Sequence, residues 1–259
     1  MIEGRAIYVI TLRELIKLAR QKGSLINTFA RPVLWLFVVG SGLSQIVNRG
    51  GVVSYKQFMF PGIMGMVILF SSIFSSISIV WDREFGFLRE ILVAPISRLS
   101  IVIGKVISGT ISSSLQAAVI MLFLPLLGIR VNFSQVLGLL ALSFLLAFSL
   151  TSLGILIAAH METFGAFNVI MNLLVMPLFF LSGAIYPVNI LPLWLRILSR
   201  CNPLTYGIDA FKNVLFARAG IQGHGSLGAE FPLGVDILVV SLFSLVMINL
   251  AVASFRKIQ

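Results

Sequence analysis

Five charged side chains crowd into nine residues of a chain that otherwise carries few charges. They are Asp82, Arg83, Glu84, Arg89 and Glu90. A segment that only anchored a membrane helix at the bilayer surface would be expected to carry Lys or Arg. Three acids among five charges instead suit a complementary protein surface. The composition therefore favours docking to a partner protein, and anchoring at the interface is the alternative.

The apolar residues of the same segment predict the element that carries these charges. Trp81, Phe85, Leu88 and Leu92 recur at helical spacing and share one face of a helix. Pro95 should end this helix, because proline disfavours helical geometry in the residue before it. The sequence therefore predicts a short, two-faced helix over about residues 82–95.

Catalytic and metal-binding chemistry has little support in the sequence. The two histidines, His160 and His224, fall on opposite sides of the membrane in the topology deduced below and cannot share a site. There is no His-Glu-x-x-His pattern, and the single Cys201 excludes a multi-cysteine metal site. We therefore expect no catalytic, cofactor or metal site in this chain. An integral membrane enzyme or a channel is the alternative function.

Milder polar groups recur inside long apolar runs. Ser72 and Ser76 lie in one such run, and Asn168 and Asn172, one helical turn apart, lie in another. Serines in membrane helices mostly serve close helix packing, and the lining of a substrate path is the alternative. The two asparagines are the better candidates for an interior-facing pair on such a path.

Membrane helices must position all of these residues. Hydrophobic residues make up 58% of the 259 residues and charged residues 11%, and the mean hydropathy is +1.05. Crossing a bilayer takes roughly 20 apolar residues in a helix. Six segments come close to this length: 32–47, 58–80, 106–127, 136–159, 167–186 and 237–255. The apolar runs are continuous rather than alternating, so helices rather than a β-barrel are expected, in a single domain over residues 1–259.

The basic residues predict the orientation. Twelve Lys and Arg residues flank one side of the six predicted spans and seven flank the other. The richer side carries both termini, which the positive-inside rule places in the cytoplasm. The basic residues cluster between apolar runs and form no continuous stripe, so the net charge of +10 does not indicate nucleic-acid binding.

The predicted spans contain no Lys, Arg, Asp or Glu in their interiors. Transporters driven by protons or ions usually place ionisable groups there, at the binding site or along a relay. Their absence makes a secondary transporter an unfavoured class. It suits a carrier whose driving force arrives mechanically from outside the membrane.

Two segments outside the spans have amphipathic patterns. In the N-terminal arm, residues 1–30, Tyr8, Leu12 and Ile16 share one helical face, and Arg13 and Lys17 lie on another. Such a helix suits the cytoplasmic headgroup layer, and a simple extension of the first span is the alternative. Residues 187–234 are too many for a turn, too apolar for a solvated loop, and predict two short amphipathic helices broken by prolines.

Two motifs resemble those of a known family. The first reads Asp82-Arg83-Glu84, Gly86, Glu90 and Pro95-Ile96-Ser97-Arg98. The second reads Leu181-Ser182-Gly183, Tyr186-Pro187, Leu191-Pro192 and Asn202-Pro203-Leu204-Thr205-Tyr206. With the span count, the N-terminal arm and the long last external loop, these motifs resemble the ABC-2 type exporter permeases. The similarity is greatest to the bacterial drug-, lipid- and oligosaccharide-export subgroup that includes the daunorubicin-resistance type.

The resemblance implies a role for each motif. Residues 82–95 would be the coupling helix that receives the push of an ATP-binding subunit, and the N-terminal arm would be an interfacial helix beside the same subunit. The implied coupling residues are Asp82, Arg83, Glu84, Phe85, Gly86, Leu88, Arg89, Glu90 and Pro95. Residues 187–234 would form an external gate of re-entrant helices, or alternatively a lid without a gating role. The implied gate residues are Tyr186, Pro187, Asn202, Pro203 and Tyr206.

The resemblance also implies an assembly and a function. The chain has no Gly-x-x-x-x-Gly-Lys-Ser/Thr phosphate loop, so ATP and Mg are expected on a separate ATPase. Six spans make half a transporter in this family, which implies two ATPases and a second permease, either another copy of this chain or a close homologue. The expected function is ATP-driven export of an amphiphilic, lipid-linked or drug-like molecule across the plasma (inner) membrane of a prokaryote.

Overall fold

A computed structural model of the protein describes residues 3–20, 32, 34–42, 55–87, 93, 96–216 and 229–256. Within these residues the regular structure is helical throughout, which confirms the predicted all-α class. We number the α-helices in chain order as α1 Gly4–Arg20, α2 Tyr55–Ser75, α3 Ile77–Glu84, α4 Arg98–Met121, α5 Phe133–Ala158, α6 Phe164–Phe180, α7 Leu193–Arg200, α8 Pro203–Phe216 and α9 Leu233–Arg256.

Several of these helices are suited to a bilayer. Four stretches are long and apolar enough to cross it: α2 and α3 together (Tyr55–Glu84), α4, α5, and Leu233–Phe255 of α9. The shorter α6 is also apolar, with 17 residues. Five of the six predicted segments overlap helices in the predicted order, and the chain is a multi-pass membrane protein. Of the first predicted span, 32–47, the described part contains a π-helical turn at Trp35–Val39.

The third predicted span begins too late in the sequence prediction. The prediction starts it at residue 106, whereas α4 begins at Arg98. The Ser97 side chain caps this helix by accepting a hydrogen bond from the Ser100 N–H at 3.2 Å. The corrected helix contains Lys105, a charge that the sequence analysis assigned to a loop. The expectation that the spans lack ionisable residues is therefore wrong for this helix.

The fifth predicted span ends too late. The prediction extends it to residue 186, but α6 ends at Phe180. Gly183 follows with a φ of +73°, a left-handed conformation that a helix cannot continue through. The residues after Phe180 instead form a turn that packs on α2. Only the apolar composition of this turn made it look like a continuation of the span.

The helix α2 lies at the centre of the bundle and packs against α4, α5, α6 and α8. Small residues bring these helices close together. A Cβ on Gly154 of α5 would lie 2.5 Å from the Oγ of Ser76, and a Cβ on Gly109 of α4 would overlap Ser75. The centre of the bundle is thus a tight seam of glycines and serines, as is typical of membrane helices.

The helix α1 packs along α4 with one edge and exposes another. A Cβ on Gly104 would lie 3.1 Å from the Cβ of Ile10, and the Thr11 hydroxyl donates to the Gly104 carbonyl at 3.2 Å. Tyr8 and Ile16, which belong to the predicted apolar face, are exposed. The predicted amphipathic helix is present, and its outer face is suited to lipid headgroups or a partner protein.

Candidate functional site

The predicted helix over residues 82–95 is interrupted. The helix α3 ends at Glu84, Phe85 lies in a turn, and Gly86 has a φ of +83°. A left-handed glycine of this kind ends a helix and redirects the chain. The prediction that Trp81 and Phe85 continue along one helical face to Leu92 is therefore wrong. The predicted coupling residues Leu88, Arg89, Glu90 and Pro95 lie outside the described residues.

Asp82 points into the protein. Its side chain belongs to a residue that is only 4% exposed. The Nη2 of Arg13 donates to both carboxylate oxygens at 2.9 Å, and the Nζ of Lys105 donates to Oδ2 at 2.6 Å. The Nζ of Lys17 lies 3.8 Å from Oδ1. The carboxylate therefore contacts α1 and α4, where the sequence predicted a charge presented to a partner.

Lys105 completes this cluster of charges. The residue is 5% exposed, and its Nζ also donates to the Oε1 of Glu14 at 2.8 Å and to the Oγ of Ser78 at 3.0 Å. With Asp82, these acceptors match the three N–H donors of an ammonium group. A buried lysine is tolerated when it is paired and hydrogen-bonded in this way. We call Arg13, Glu14, Asp82 and Lys105 the ion cluster.

Arg83 and Glu84 hold the loop between α5 and α6. The guanidinium of Arg83 donates to the carbonyls of Met161 at 2.7 Å and Ala159 at 3.0 Å, just after the end of α5. The carboxylate of Glu84 accepts the Phe164 N–H at 3.0 Å, at the start of α6. A cation near the C-terminus of one helix and an anion at the N-terminus of the next both complement the helix dipoles.

Three consecutive residues thus reach three different parts of the bundle. We call Asp82, Arg83 and Glu84 the charged triplet: the first contacts α1 and α4, the second the end of α5, and the third the start of α6. Directly after the triplet, Phe85 and Phe87 are 72% and 54% exposed. Charged hydrogen bonds connect the triplet to each of these helices. A displacement of the exposed segment that follows the triplet can therefore be transmitted to several helices at once.

The predicted gate residues lie together on the opposite side of the bundle from the triplet in the predicted topology. The Tyr186 hydroxyl donates to the Phe180 carbonyl at 2.6 Å. The Asn202 side chain donates to the Leu178 carbonyl at 2.6 Å and accepts from the Leu204 N–H at 3.0 Å. Asn202 therefore fastens the start of α8 to the end of α6.

The remaining gate residues shape the two short helices. Pro187 precedes the 3-10 turn Val188–Ile190, and Pro203 is the first residue of α8, a position where its missing N–H is harmless. The Tyr206 hydroxyl donates to the Arg200 carbonyl at 2.8 Å, and its ring stacks on Phe231 with 5.2 Å between ring centroids. The motif residues thus fix α7 and α8 relative to each other.

Lys212 of α8 is buried beside these residues. Its Nζ donates to the Gly183 carbonyl at 3.0 Å and lies 4.7 Å from the ring centroid of Phe58 in α2. Asp209, one turn earlier, accepts the Glu230 and Phe231 N–H groups at 2.7 to 2.9 Å. Burial lowers the pKa of Lys212 to about 8, although the negative charges of Asp209 and Glu230 raise it in part.

Gly62 of α2 lets the same turn come close. A Cβ on Gly62 would lie 2.5 Å from the carbonyl oxygen of Ala184 and 2.6 Å from its Cα. The Tyr55 hydroxyl, also on α2, donates to the Ile185 carbonyl at 3.0 Å. The turn after α6 is therefore seated directly on α2, with no room for a side chain on Gly62 between them.

Of the residues predicted for a substrate path, the two serines lie inside the chain's own packing. Ser72 is fully buried, and the Ser76 hydroxyl, also buried, faces the Thr151 carbonyl at 3.5 Å. Ser76 further occupies the space that Gly154 leaves open. Close helix packing, which the sequence analysis favoured for these serines, accounts for both of them.

The two asparagines lie on the outer side of α6. Asn172 is exposed and Asn168 partly buried, and each amide donates to a carbonyl four residues earlier, those of Asn168 and Phe164. The predicted inward orientation is wrong within one chain, because Phe167 and Met171 take the buried positions of α6. In the part of the chain that the structure describes, the amide pair belongs to the outward face of α6.

The partners of the charged triplet were not predicted from the sequence. Arg13 and Glu14 lie almost seventy positions from Asp82, so their pairing leaves no local pattern. Lys105 did leave a signal, since it is the one charged residue between positions 99 and 129. An isolated lysine in such a run requires a buried partner. Among the described residues, no group of three or more His, Cys, Asp or Glu side chains could hold a metal ion.

Comparison with known proteins identifies relatives of this chain. The sequence model of the family described as "ABC-2 type transporter" matches residues 5–216. A protein of Cyanophora paradoxa named as a transport permease, ycf38, is 32% identical over 93% of this chain and 85% of its own length. Nodulation protein J of Rhizobium leguminosarum bv. trifolii is 27% identical over 80% of this chain and 79% of its own. An Escherichia coli (strain K12) protein named as a multidrug ABC transporter permease, YbhR, is 28% identical over 65% of this chain and 46% of its own.

Proposed function

This chain belongs to the ABC-2 type transporter family, and we propose that it is the transmembrane permease subunit of an ATP-binding cassette exporter. It moves an amphiphilic, lipid-linked or drug-like molecule outward, while a separate ATPase subunit binds ATP and Mg and hydrolyses the nucleotide. The names of the relatives, which include transport permeases and a multidrug ABC transporter permease, support transport as the activity.

The charged triplet is the observation that carries this proposal. Asp82, Arg83 and Glu84 connect the segment that begins at Phe87 to α1, α4, α5 and α6. An ATPase that pushes on this segment would therefore act on most of the bundle at once. The exposed Phe85 and Phe87 offer apolar anchors of the kind that dominate protein interfaces. In this proposal the triplet is a transmission point, and the partner surface begins at Phe85 and continues past Gly86.

The proposed complex contains two ATPases and two permeases, the second permease being another copy of this chain or a close homologue. The outer face of α6 supports this arrangement. Asn172 is exposed and Asn168 partly exposed among the apolar residues of a membrane-embedded helix, and each amide bonds one carbonyl of its own helix. Their remaining polar atoms are unfavourable in lipid. Two such faces, opposed across the complex, would line a substrate path whose amides bind the polar part of an amphiphile.

The test of this function is reconstitution with the cognate ATPase. We expect the permease and ATPase to purify together, and the complex in proteoliposomes to hydrolyse ATP and to move members of a panel of labelled lipids, glycolipids and drugs. A channel or membrane enzyme would act without the ATPase. Activity of the permease alone, or its failure to associate with the ATPase, would refute the proposal.

Reversing the charge at Glu84 is expected to uncouple ATP hydrolysis from transport. In Glu84→Lys the bond to the Phe164 N–H is lost, and a cation faces the positive end of α6. We expect normal insertion and ATP hydrolysis but a several-fold lower transport rate per ATP. Phosphate release and flux of the labelled amphiphile, measured on the same proteoliposomes, give this ratio.

Glu162→Lys is the matched control for this prediction. Glu162 is exposed in the same loop, and the same charge reversal there removes no contact to α3. We expect it to keep the ratio of transport to hydrolysis close to that of the unmodified chain. An unchanged ratio in Glu84→Lys, or an equal loss in both variants, would contradict a specific role of Glu84.

Both termini and the triplet lie in the cytoplasm in this proposal, and α7 lies outside. Cys201, the chain's single cysteine, is exposed at the end of α7. A membrane-impermeant maleimide should label it in intact cells. In a Phe87→Cys variant that also carries Cys201→Ser, labelling should require permeabilised cells. Labelling of both positions from the same side would contradict the topology.

A further inference from the structure

We propose that Lys105 is a positioning residue that fixes the N-terminal helix α1 to the third span and to the end of the second, so that the three move together. The inference rests on the proposed function, because it concerns how the push of the ATPase spreads through the permease. It adds a residue that neither sequence motif contains. The consequence is that α1 is part of the moving body rather than an independent arm.

The geometry of the ammonium group carries this inference. Lys105 stands on α4, and its three contacts lead to two other elements: Glu14 on α1, and Ser78 and Asp82 on α3. All three donors of the group are used, so no donor remains for solvent. A displacement of α4 relative to α1 or α3 would therefore break hydrogen bonds of Lys105.

The surrounding charges reinforce the same connection. Asp82 and Glu14 both contact Lys105, and Arg13 bonds Asp82 and also lies 3.3 Å from Glu14. The two carboxylates would repel each other without the cations between them. Lys17 contributes least, since its Nζ lies 3.8 Å from each carboxylate and its side chain is nearly half exposed. The buried Lys105 is the cation that water screens least.

The contacts between α1 and α4 fit a fixed rather than a sliding helix. The Ile10 side chain packs against Gly104, and the Thr11 hydroxyl bonds the Gly104 carbonyl. Nearer the start of α1, the Glu3 N–H donates to the Oγ of Ser100 at 3.0 Å. These contacts and the ion cluster lie along the same side of α1, so a slide along α4 would break all of them.

The first experiment removes the ammonium group and keeps its stem. In the complex with the ATPase, Cys201 reports on the external side without any knowledge of the substrate. We expect Mg-ATP with vanadate to change the rate of maleimide modification of Cys201 in the unmodified chain. Lys105→Met should lower this change at least several-fold while ATP hydrolysis continues, and Lys17→Met should leave it intact. An undiminished response in Lys105→Met would overturn the inference.

The second experiment locks α1 to α4 and does not depend on a destabilised variant. A Cβ on Gly104 would lie 3.1 Å from that of Ile10, so cysteines at positions 10 and 104 need only a small separation of the helices to reach the usual disulfide Cβ–Cβ distance of about 3.8 Å. If the helices move as one body, oxidation of an Ile10→Cys, Gly104→Cys variant leaves the Cys201 response unchanged. Loss of the response on oxidation, and its return on reduction, would show that α1 must slide and would overturn the inference.

The outcomes separate this inference from the proposed function. If the unmodified complex shows no response of Cys201 to Mg-ATP and no hydrolysis, the exporter proposal itself fails and the inference falls with it. If the unmodified complex responds and Lys105→Met responds equally, the role of Lys105 alone is refuted. A restored response in Lys105→Met after the 10–104 disulfide forms would support positioning rather than a binding role.

Discussion

Replacement of Asp82 by asparagine is expected to be among the most damaging single changes in this protein. Asparagine keeps the size of the side chain but removes the charge that pairs with Arg13 and Lys105. Removal of one partner from a buried ion pair typically costs about 3–5 kcal/mol, because the other charge stays buried and uncompensated. We expect a clearly lower midpoint of thermal unfolding in detergent and a loss of ATP-driven response at Cys201.

A double variant separates stability from coupling at this site. Asp82→Leu with Lys105→Met replaces the buried pair by apolar side chains of similar size, which is often neutral or stabilising. Arg13 and Glu14 can still pair with each other at 3.3 Å. We expect the thermal midpoint to recover and the Cys201 response to stay low. Recovery of both would mean that the ion cluster serves folding alone.

Replacement of Gly62 by alanine is expected to displace the turn after α6 from α2. The new Cβ would lie 2.5 Å from the Ala184 carbonyl oxygen, and backbone atoms cannot rotate away as a side chain can. Overpacking of this kind costs about 1–3 kcal/mol or more. We expect the bond from Lys212 to Gly183 and the bond from Tyr55 to Ile185 to weaken together. Faster maleimide modification of Cys201 without ATP would report the displaced turn.

Gly165→Ala is the control for this change. Gly165 lies in the first turn of α6, and a Cβ there would meet nothing within 4 Å. Alanine favours a helix over glycine by up to about 1 kcal/mol, so this variant should be as stable as the unmodified chain or slightly more stable. If Gly62→Ala retains both its thermal midpoint and the slow labelling of Cys201, the close packing of the turn on α2 matters neither for stability nor for the exposure of Cys201.

The helical spans were predictable because the length of an apolar run is a direct consequence of bilayer thickness. Their ends were not, because single residues decide them. The Ser97 cap sets the start of α4 at Arg98, eight positions before the predicted span. The left-handed Gly183 follows α6, which ends earlier than predicted. Lys105 was excluded from a span for its charge, although Asp82 and Glu14, distant in sequence, make its burial possible.

The charged triplet could be found from sequence, but its orientation could not. Helical periodicity predicted that the helix of Trp81 runs on past Phe85, and nothing in that pattern shows that Gly86 adopts a positive φ. The partners of Arg83 lie near residue 160, at the end of another helix. Amphipathic patterns report which residues avoid water, and they do not report which neighbour satisfies a charge.

The outer face of α1 is a second case in which a sequence pattern identifies a face but not its contacts. Periodicity correctly grouped Tyr8 and Ile16 on one face, and both are exposed. The contact with α4 instead uses Ile10 and Thr11, beside a glycine. Glycine carries no hydrophobic signal, so a sequence pattern cannot reveal that Gly104 is where another helix docks.

Gly86 has a practical consequence for building chimaeric transporters. The side chains of Asp82, Arg83 and Glu84 before it bond to other parts of this chain, and a Cβ on Gly86 itself would meet nothing within 4 Å. A graft that begins at Phe87 would exchange most of the segment that we propose as the docking site of the ATPase and leave every bond of Asp82, Arg83 and Glu84 in place. A graft that begins even five residues earlier would import charges whose complements remain behind in α1, α4 and the loop near residue 160. We therefore expect the boundary for exchange between related ABC-2 type transporters to lie at this single glycine.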